Sequence, residues 1–420
     1  MTLLLRLAAL SAWNRRYPLG LTLLAIVLSS TLLFGIERLR QDVRASFAQS
    51  VSGTDLIVGA RSSPLQLMLY TVFRLGEPSG TLRWSSAKAL ARHPDVAWTI
   101  PIALGDSHRG FPVIGTNADY FAHFKYGASH PLRLKDGQPF AQLFETVLGA
   151  EVAERLGYRV GDQIVLAHGS GMPGLAEHAD KPFVVSGILA RTGTPVDRSV
   201  HISLEAMEAI HLDWQGGAPL PGLNIPAEYV RKFDLTPKAV TAVLIGLKSR
   251  SAVFAMQREI SRWPDEALTA ALPAVALDEL WHLLDNGEQA LRLVSALAMV
   301  SGLAGMVAVV LAGLDQRRRE LSILRSVGAA PRHLFTLLAL EGIGLTLLGT
   351  LLGIALQGTL ALLAGGWLEA RYGIAPSLFS ASSEELTLFA AIVVTGGIAS
   401  LLPGYRAYRL SLSDGLTPRL

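Results

Sequence analysis

Of ten histidines, nine fall between residues 37 and 288, and imidazole is a good ligand for Zn or Cu. The stretch HGSGMPGLAEHAD sets His168, His178 and Asp180 along one Gly-rich connection. A plainer explanation competes with metal binding. Histidine favours wet surface and is kept out of lipid, so the polar part of an apolar chain collects it. No recognised ligand spacing such as H-E-x-x-H accompanies the cluster. The expectation is no metal centre, with His168, His178 and Asp180 as the candidates should one exist. Catalysis is not expected either: G-x-S-x-G is absent, and the carboxylates show no paired spacing. No cysteine is present, which excludes a disulfide framework and thiolate ligands. A formal net charge of +3 is too weak to indicate nucleic acid.

A second concentration of chemistry is LDQRRRELSILRSVGAAPRHLF, residues 314–335, with five arginines between two apolar runs. Leu321, Leu324 and Val327 recur every three residues and so share a helical face, with Ile323 beside them. Arg317, Arg318, Arg319 and Arg325 are left for water or lipid phosphate, and Glu320 stands three residues after Arg317, a favourable helix-surface spacing. Gly328 is placed to stop the helix and Pro331 to start the next. A basic anchor needs arginines but no ordered helix and stop. The pattern therefore favours a docking element over a bare anchor.

These residues need elements to hold them. Half of the chain is hydrophobic and 17% is charged, below the quarter or so usual for soluble domains. The apolar residues gather at 19–36, 293–314, 342–364 and 386–403. Each run approaches the ~20 residues a helix needs to cross a bilayer. Only helices or closed barrels satisfy the backbone there. The expected fold class is a membrane protein with four transmembrane α-helices, one before and three after a large α+β extracytoplasmic domain. The first run has no A-x-A-like site after it and reads as an uncleaved anchor.

Short-loop arginines set the orientation. Arg6, Arg15 and Arg16 precede the first span, Arg317–Arg332 follow the second, and Arg406, Arg409 and Arg419 follow the fourth. Glu369, Glu384 and Glu385 lie between the third and fourth. Both termini and the arginine loop are therefore expected in the cytoplasm, although Arg38, Arg40 and Arg44 lie on the wrong side. The expected segments are 1–18 (cytoplasmic), 19–36 (first span), 37–288 (outer domain), 289–314 (second span) and 315–333 (helix and turn). They continue with 334–364 (third span), 365–385 (outer loop), 386–404 (fourth span) and 405–420 (cytoplasmic tail). Glu341, near the start of the third span, is expected to be a structural ion-pair partner of the loop arginines.

In the outer domain, DLIVGA (55–60), FPVIGT (111–116), DQIVLAHG (162–169), PFVVSGILA (182–190) and VTAVLIGLK (240–248) read as strands. Residues 87–96, 146–157, 203–212 and 251–263 read as helices, the third capped by Ser203. Some 250 residues exceed a typical single core, so two lobes are expected. SSPLQLMLYTVFRLG (62–76) is too short to be a fifth span.

RRRELSILRSVGAAPRHLFTLLALEGIGLTLLGTLLG resembles the signature stretch of FtsX/MacB/LolC-type ABC transporter permeases. The tail LLPGYRAYRLSLSDGL is similar to that family's ending, although Gly404 and Asp414 depart from it. VLGAEVAERLGYRVGDQIVL and FVVSGILARTGTPVDRSVHISLEAM resemble the MacB-like periplasmic domain. The resemblance implies a non-catalytic permease of the mechanotransmission type in a bacterial inner membrane, with the large domain periplasmic. Residues 317–328 would be the coupling helix gripped by an ABC ATP-binding subunit of the MacB/LolD kind. Two permease copies, identical or not, would pair, and a periplasmic adaptor or effector could join them. No G-x-x-x-x-G-K-[ST] occurs in the 420 residues, so no cofactor is expected on the chain itself, and ATP and Mg are expected on the partner. Two alternatives share the coupling helix: a transducer controlling a partner such as a cell-wall hydrolase, and a zinc-linked envelope transport system.

Sidedness is testable because the chain lacks cysteine. In spheroplasts His130→Cys should react with a membrane-impermeant maleimide, and Ser322→Cys only after the membrane is opened. Labelling of both from outside would overturn the orientation.

Overall fold

The structure is a computed structural model that describes residues 16–127, 129–169, 177–215, 218–220, 225–316, 326, 329–372, 376 and 382–409. Helix α1 (Arg16–Gln49) precedes a sheet-rich segment containing, among other short helices, α2 (Leu204–Ile210). Helices α3 (Pro273–Gln316), α4 (Pro331–Tyr372) and α5 (Ser383–Arg409) follow it. α1, α3, α4 and α5 are each long and apolar enough to cross a membrane. The chain separates into a sheet-rich unit, residues 43–284, and a helical unit built on the segments up to Asp42, from Asp285 to Leu368 and from Pro376. The expected fold class is therefore present: one long apolar helix, a mixed-sheet domain, then three more.

In the helical unit Ile26 and Phe34 of α1 pack with Met299, Leu303, Met306 and Val310 of α3, Leu334 and Leu338 of α4, and Ile392 of α5. Leu21, Leu24, Leu28 and Leu32 of α1 and Leu348, Leu351, Leu352 and Leu363 of α4 face outwards and are exposed. A folded surface this apolar suits hydrocarbon rather than water. Lipid gives no hydrophobic drive for helices to associate, so close backbone approach and hydrogen bonds must supply it. Glycine provides the approach here. A Cβ on Gly353 would lie 2.6 Å from Ser30 Cβ and 2.9 Å from the Val27 carbonyl oxygen. Thr31 Oγ1 donates to the Gly353 carbonyl at 3.1 Å, and Ser29 Oγ to the Ala298 carbonyl at 3.1 Å. Of the small residues of 342–353, Gly342, Gly349 and Gly353 thus pack inside one subunit.

At one end of this unit α1 carries Glu37, Arg38 and Arg40. Arg38 Nη1 meets Glu385 at 2.9 Å, while Arg40 bridges Glu37, Glu384 at 2.6 Å and Glu288 at 3.6 Å. In this network the charge of Arg38 and Arg40 is matched by acids from α1, α3 and α5, which ties the three helices together at that end. Arg44, described within the sheet-rich unit, lies over the Trp281 ring with 5.2 Å to its centroid.

The sheet-rich unit is built on eleven strands: β1 (Leu56–Ala60), β2 (Val96–His108), β3 (Phe111–Thr116), β4 (Leu134–Gly137), β5 (Glu145–Leu148), β6 (Gln163–Ile164), β7 (Ala167–His168), β8 (Phe183–Leu189), β9 (Val200–Ser203), β10 (Ala242–Leu247) and β11 (Leu268–Ala271). Their order is β11-β1-β10-β2-β3-β9-β5-β8-β4, with β7 paired to β2 and β6 to β8. β3–β9 and β5–β8 are parallel, and the other pairs are antiparallel. β2 was not expected. Its thirteen residues include Pro101 and Gly105, which interrupt the usual strand pattern. It pairs with β10 through its first half and with β3 and β7 through its second, so the two lobes expected from length are joined in one continuous sheet. Residues 64–73 form a short helix continuing into a π-turn, with Leu67, Met68 and Tyr70 buried in the core, not a span.

Helix packing through Gly353 can be tested against Gly344, which has open space around it on the same helix. Gly353→Val should lower the thermal stability of the detergent-solubilised chain by several degrees, and Gly344→Val should leave it unchanged. Equal effects would count against the close approach.

Candidate functional site

The bulge in β2 creates the site. Between Leu104 and Ser107 the register with β3 shifts by one residue, and Gly105 takes φ +156°. An extra residue in one strand redirects its side chains. Asp106, 4% exposed, is turned into the protein beside β7, where it pairs directly with His168. The Gly169 N–H donates to the Gly105 carbonyl at 2.8 Å and continues that pairing.

His178 arrives from the turn before β8, where its N–H donates to the Leu166 carbonyl at 2.8 Å. His211 closes α2. Ser203 Oγ accepts from the Ala206 N–H at 3.0 Å and caps the start of that helix, while His211 occupies its C-cap. Four side chains converge as a result. His168 Nδ1 is 3.0 Å from Asp106 Oδ1, His211 Nε2 is 3.4 Å from it, and His178 Nε2 is 3.9 Å. His168 Nδ1 and His211 Nε2 are 3.1 Å apart. Trp214 walls the cluster, its ring centroid 4.3 Å from that of His178 and 5.4 Å from that of His168.

The electrostatics follow from this geometry. Burial alone would raise the Asp106 pKa, but three imidazoles around the carboxylate outweigh it and hold the group well below the usual range. Burial alone would lower the His211 pKa; its contact with Asp106 raises it instead. The His211 Nδ1–H donates to the Met207 carbonyl at 2.8 Å, which leaves Nε2 as the atom facing Asp106.

Asp180 is not part of this cluster. Its carboxylate takes Lys181 Nζ at 2.6 Å, and the same ammonium, fully buried, lies 3.0 Å from both Asp213 oxygens. Asp213 also accepts from the Ile225 N–H at 3.2 Å. This pair fastens the turn carrying His178 to the turn carrying His211 and Trp214. Of the sequence candidates, His168 and His178 come together and Asp180 does not. Asp106 and His211 were missed. Nothing in linear spacings of 62 residues from Asp106 to His168 and 43 from His168 to His211 joins them to the loop, and only the bulge and the helix end do so.

The sequence-predicted Arg317, Arg318, Arg319, Glu320, Leu321, Ile323, Leu324, Arg325 and Gly328 lie outside the described residues. Glu341 is buried at 7% exposure within α4; of the loop arginines expected to pair with it, 317–319 and 325 lie outside the described residues and Arg332 is exposed.

Comparisons with known proteins place this architecture. The family model for the MacB-like periplasmic core domain matches residues 19–262, and that for the FtsX-like permease C-terminal region matches 292–412. The chain belongs to the MacB-like family of FtsX-type ABC transporter permeases. Such a permease lies in the inner membrane with a large extracytoplasmic domain. The chain is similar to the pyoverdine export ATP-binding/permease protein PvdT of Pseudomonas entomophila (strain L48), 24% identical over 96% of this chain and 58% of that protein. It is similar too to the macrolide export ATP-binding/permease protein MacB of Azoarcus sp. (strain BH72), 22% identical over 93% and 56%. The permease thus spans somewhat more than half the length of these relatives. The periplasmic region of MacB from Actinobacillus actinomycetemcomitans aligns over 56% of this chain and 94% of that one at 10% identity, with a TM-score of 0.34.

The buried Lys181–Asp213 pair yields a prediction. Removing one member of a buried ion pair costs about 3 kcal/mol, because the other charge stays desolvated. Asp213→Ala should therefore destabilise the sheet-rich unit by about that amount, read as faster proteolysis of the full-length permease within that unit. Asp180→Ala, which removes the more exposed partner, should cost less. The reverse order would contradict the assignment.

Proposed function

We propose that the chain is the force-transmitting subunit of an ABC exporter, in which ATP hydrolysis on the cytoplasmic side reshapes the periplasmic domain without a solute channel through the spans. The supporting observation is the order of matches: a MacB-like domain after one apolar helix, then an FtsX-like region holding three more. Export is named for both kinds of relative above, and it is the direction proposed here. The helical unit supports a mechanical reading. α1 has 34 residues and α3 has 44, so they extend about 50 and 65 Å at 1.5 Å per residue. Both exceed a ~30 Å hydrocarbon layer. Among the described residues, no Asp, Glu, Lys or Arg is buried within residues 19–36 of α1 or 293–312 of α3, where a polar-solute path would be expected to show intramembrane charges.

ATP and Mg are proposed to bind an ATP-binding partner that engages residues 317–328, with the leucine face of Leu321 and Leu324 as the contact and Arg317, Arg318, Arg319 and Arg325 flanking it. Both termini would share that cytoplasmic side, and two copies of the permease would form the assembly. A periplasmic adaptor would join the large domain. A transducer acting on a cell-wall enzyme would use the same lever, but export is favoured by the relatives' names.

In liposomes with its ATP-binding partner, Leu324→Asp should reduce ATPase stimulation at least tenfold while membrane insertion is retained. Full stimulation by that variant would refute the coupling role.

A further inference from the structure

We propose that Asp106, His168, His178 and His211 bind one Zn²⁺ ion in the periplasmic domain. The four ligand atoms, one carboxylate oxygen and three imidazole nitrogens, all lie within 4.8 Å of one another. An ion held by bonds of about 2.0–2.1 Å spaces tetrahedral ligand atoms about 3.3 Å apart. The separations among the Asp106, His168 and His211 atoms, 3.0, 3.1 and 3.4 Å, already have that spacing. His178 Nε2, at 3.9 Å from Asp106 Oδ1, has to close by roughly half an ångström to join them.

Hydrogen bonding alone does not explain the cluster. Three imidazole nitrogens converge on a single carboxylate oxygen, and His211 has already committed its Nδ1–H to the Met207 carbonyl. His178 is fully buried, yet among the described residues neither of its ring nitrogens has a hydrogen-bond partner, and Asp106 Oδ2 has none either. Native interiors rarely leave buried polar atoms in that condition, because each carries an uncompensated desolvation cost. A cation bound by His178 Nε2 and Asp106 Oδ1 removes much of it. The buried imidazole then coordinates instead of wasting its lone pair.

The surroundings fit a metal as well. A carbonyl that accepts from the far nitrogen of a ligating histidine fixes its tautomer and orientation, and Met207 does this for His211. Trp214 supplies an apolar wall, and the Lys181–Asp213 pair locks the two turns that deliver His178 and His211. Imidazole with one carboxylate and no thiolate suits Zn²⁺, and the near-equal separations among the Asp106, His168 and His211 atoms favour it over the square-planar set preferred by Cu²⁺. The side chains of His168 and His211 are 33% and 27% exposed, against 0% for His178 and Asp106. The ion therefore enters past the first two and is anchored by the second two. Once bound it ties β2, β7, the turn before β8 and the end of α2 into one body.

The inference does not depend on the transport reading, because its readout is binding. Full-length protein in detergent, stripped with EDTA, is titrated with Zn²⁺ against a chromogenic chelator, and with Co²⁺ for its visible spectrum. One equivalent of Zn²⁺ per chain and intense tetrahedral Co²⁺ bands are expected. His178→Ala and Asp106→Asn should each weaken binding more than tenfold, with His130→Ala, an exposed histidine elsewhere, as the unaffected control. Because those two side chains are buried, His168→Ala serves as a partly exposed replacement that preserves folding and should also lose the tetrahedral Co²⁺ spectrum. Absence of a stoichiometric site, a six-coordinate Co²⁺ spectrum, or binding unchanged in His168→Ala would overturn the assignment.

Discussion

Backbone polar groups have no water to bond in hydrocarbon, and the rest of this structure depends on that constraint. It forces the apolar runs into helices, and it removes the hydrophobic drive that would hold them together. Contact must then come from close approach, through Gly353 against Ser30 and Val27, and from the few polar bonds the bundle contains, such as Ser29 to Ala298. Charges collect where they can be matched. Arg38 and Arg40 meet Glu384, Glu385 and Glu288 at one end of the helical unit.

The periplasmic domain solves a different problem. Its long strand β2 unites an antiparallel half with a half that contains parallel pairs in a single continuous sheet. At the bulge in that strand the protein buries a carboxylate among three histidines. The strand that joins the halves also carries the bulge that forms the site.

Much of this was legible in the sequence. Apolar run length gave the four helices, since about twenty residues are needed whatever their identity. Short β-branched runs gave β3 at residues 111–116 and β8 within 182–190. Ser203 announced its helix through cap chemistry alone. β2 was hidden because Pro101 and Gly105 disguise it, and their meaning appears only once its neighbours are known. The site was half legible. His168 and His178 lie ten residues apart on one loop, whereas Asp106 and His211 reach them through a bulge and a helix end that periodicity does not report. Asp180 looked like a ligand by proximity, but Lys181, its immediate neighbour, claims it.

In the proposed assembly of two permease copies with an ATP-binding partner, ATP hydrolysis in the cytoplasm changes the arrangement of the periplasmic domains. A spin label on Val160→Cys, an exposed position in a chain without other cysteines, would report the distance between two copies in the assembled complex. The account predicts that this distance distribution differs between the nucleotide-free complex and the complex trapped during turnover. An unchanged distribution while ATP is being hydrolysed would contradict it.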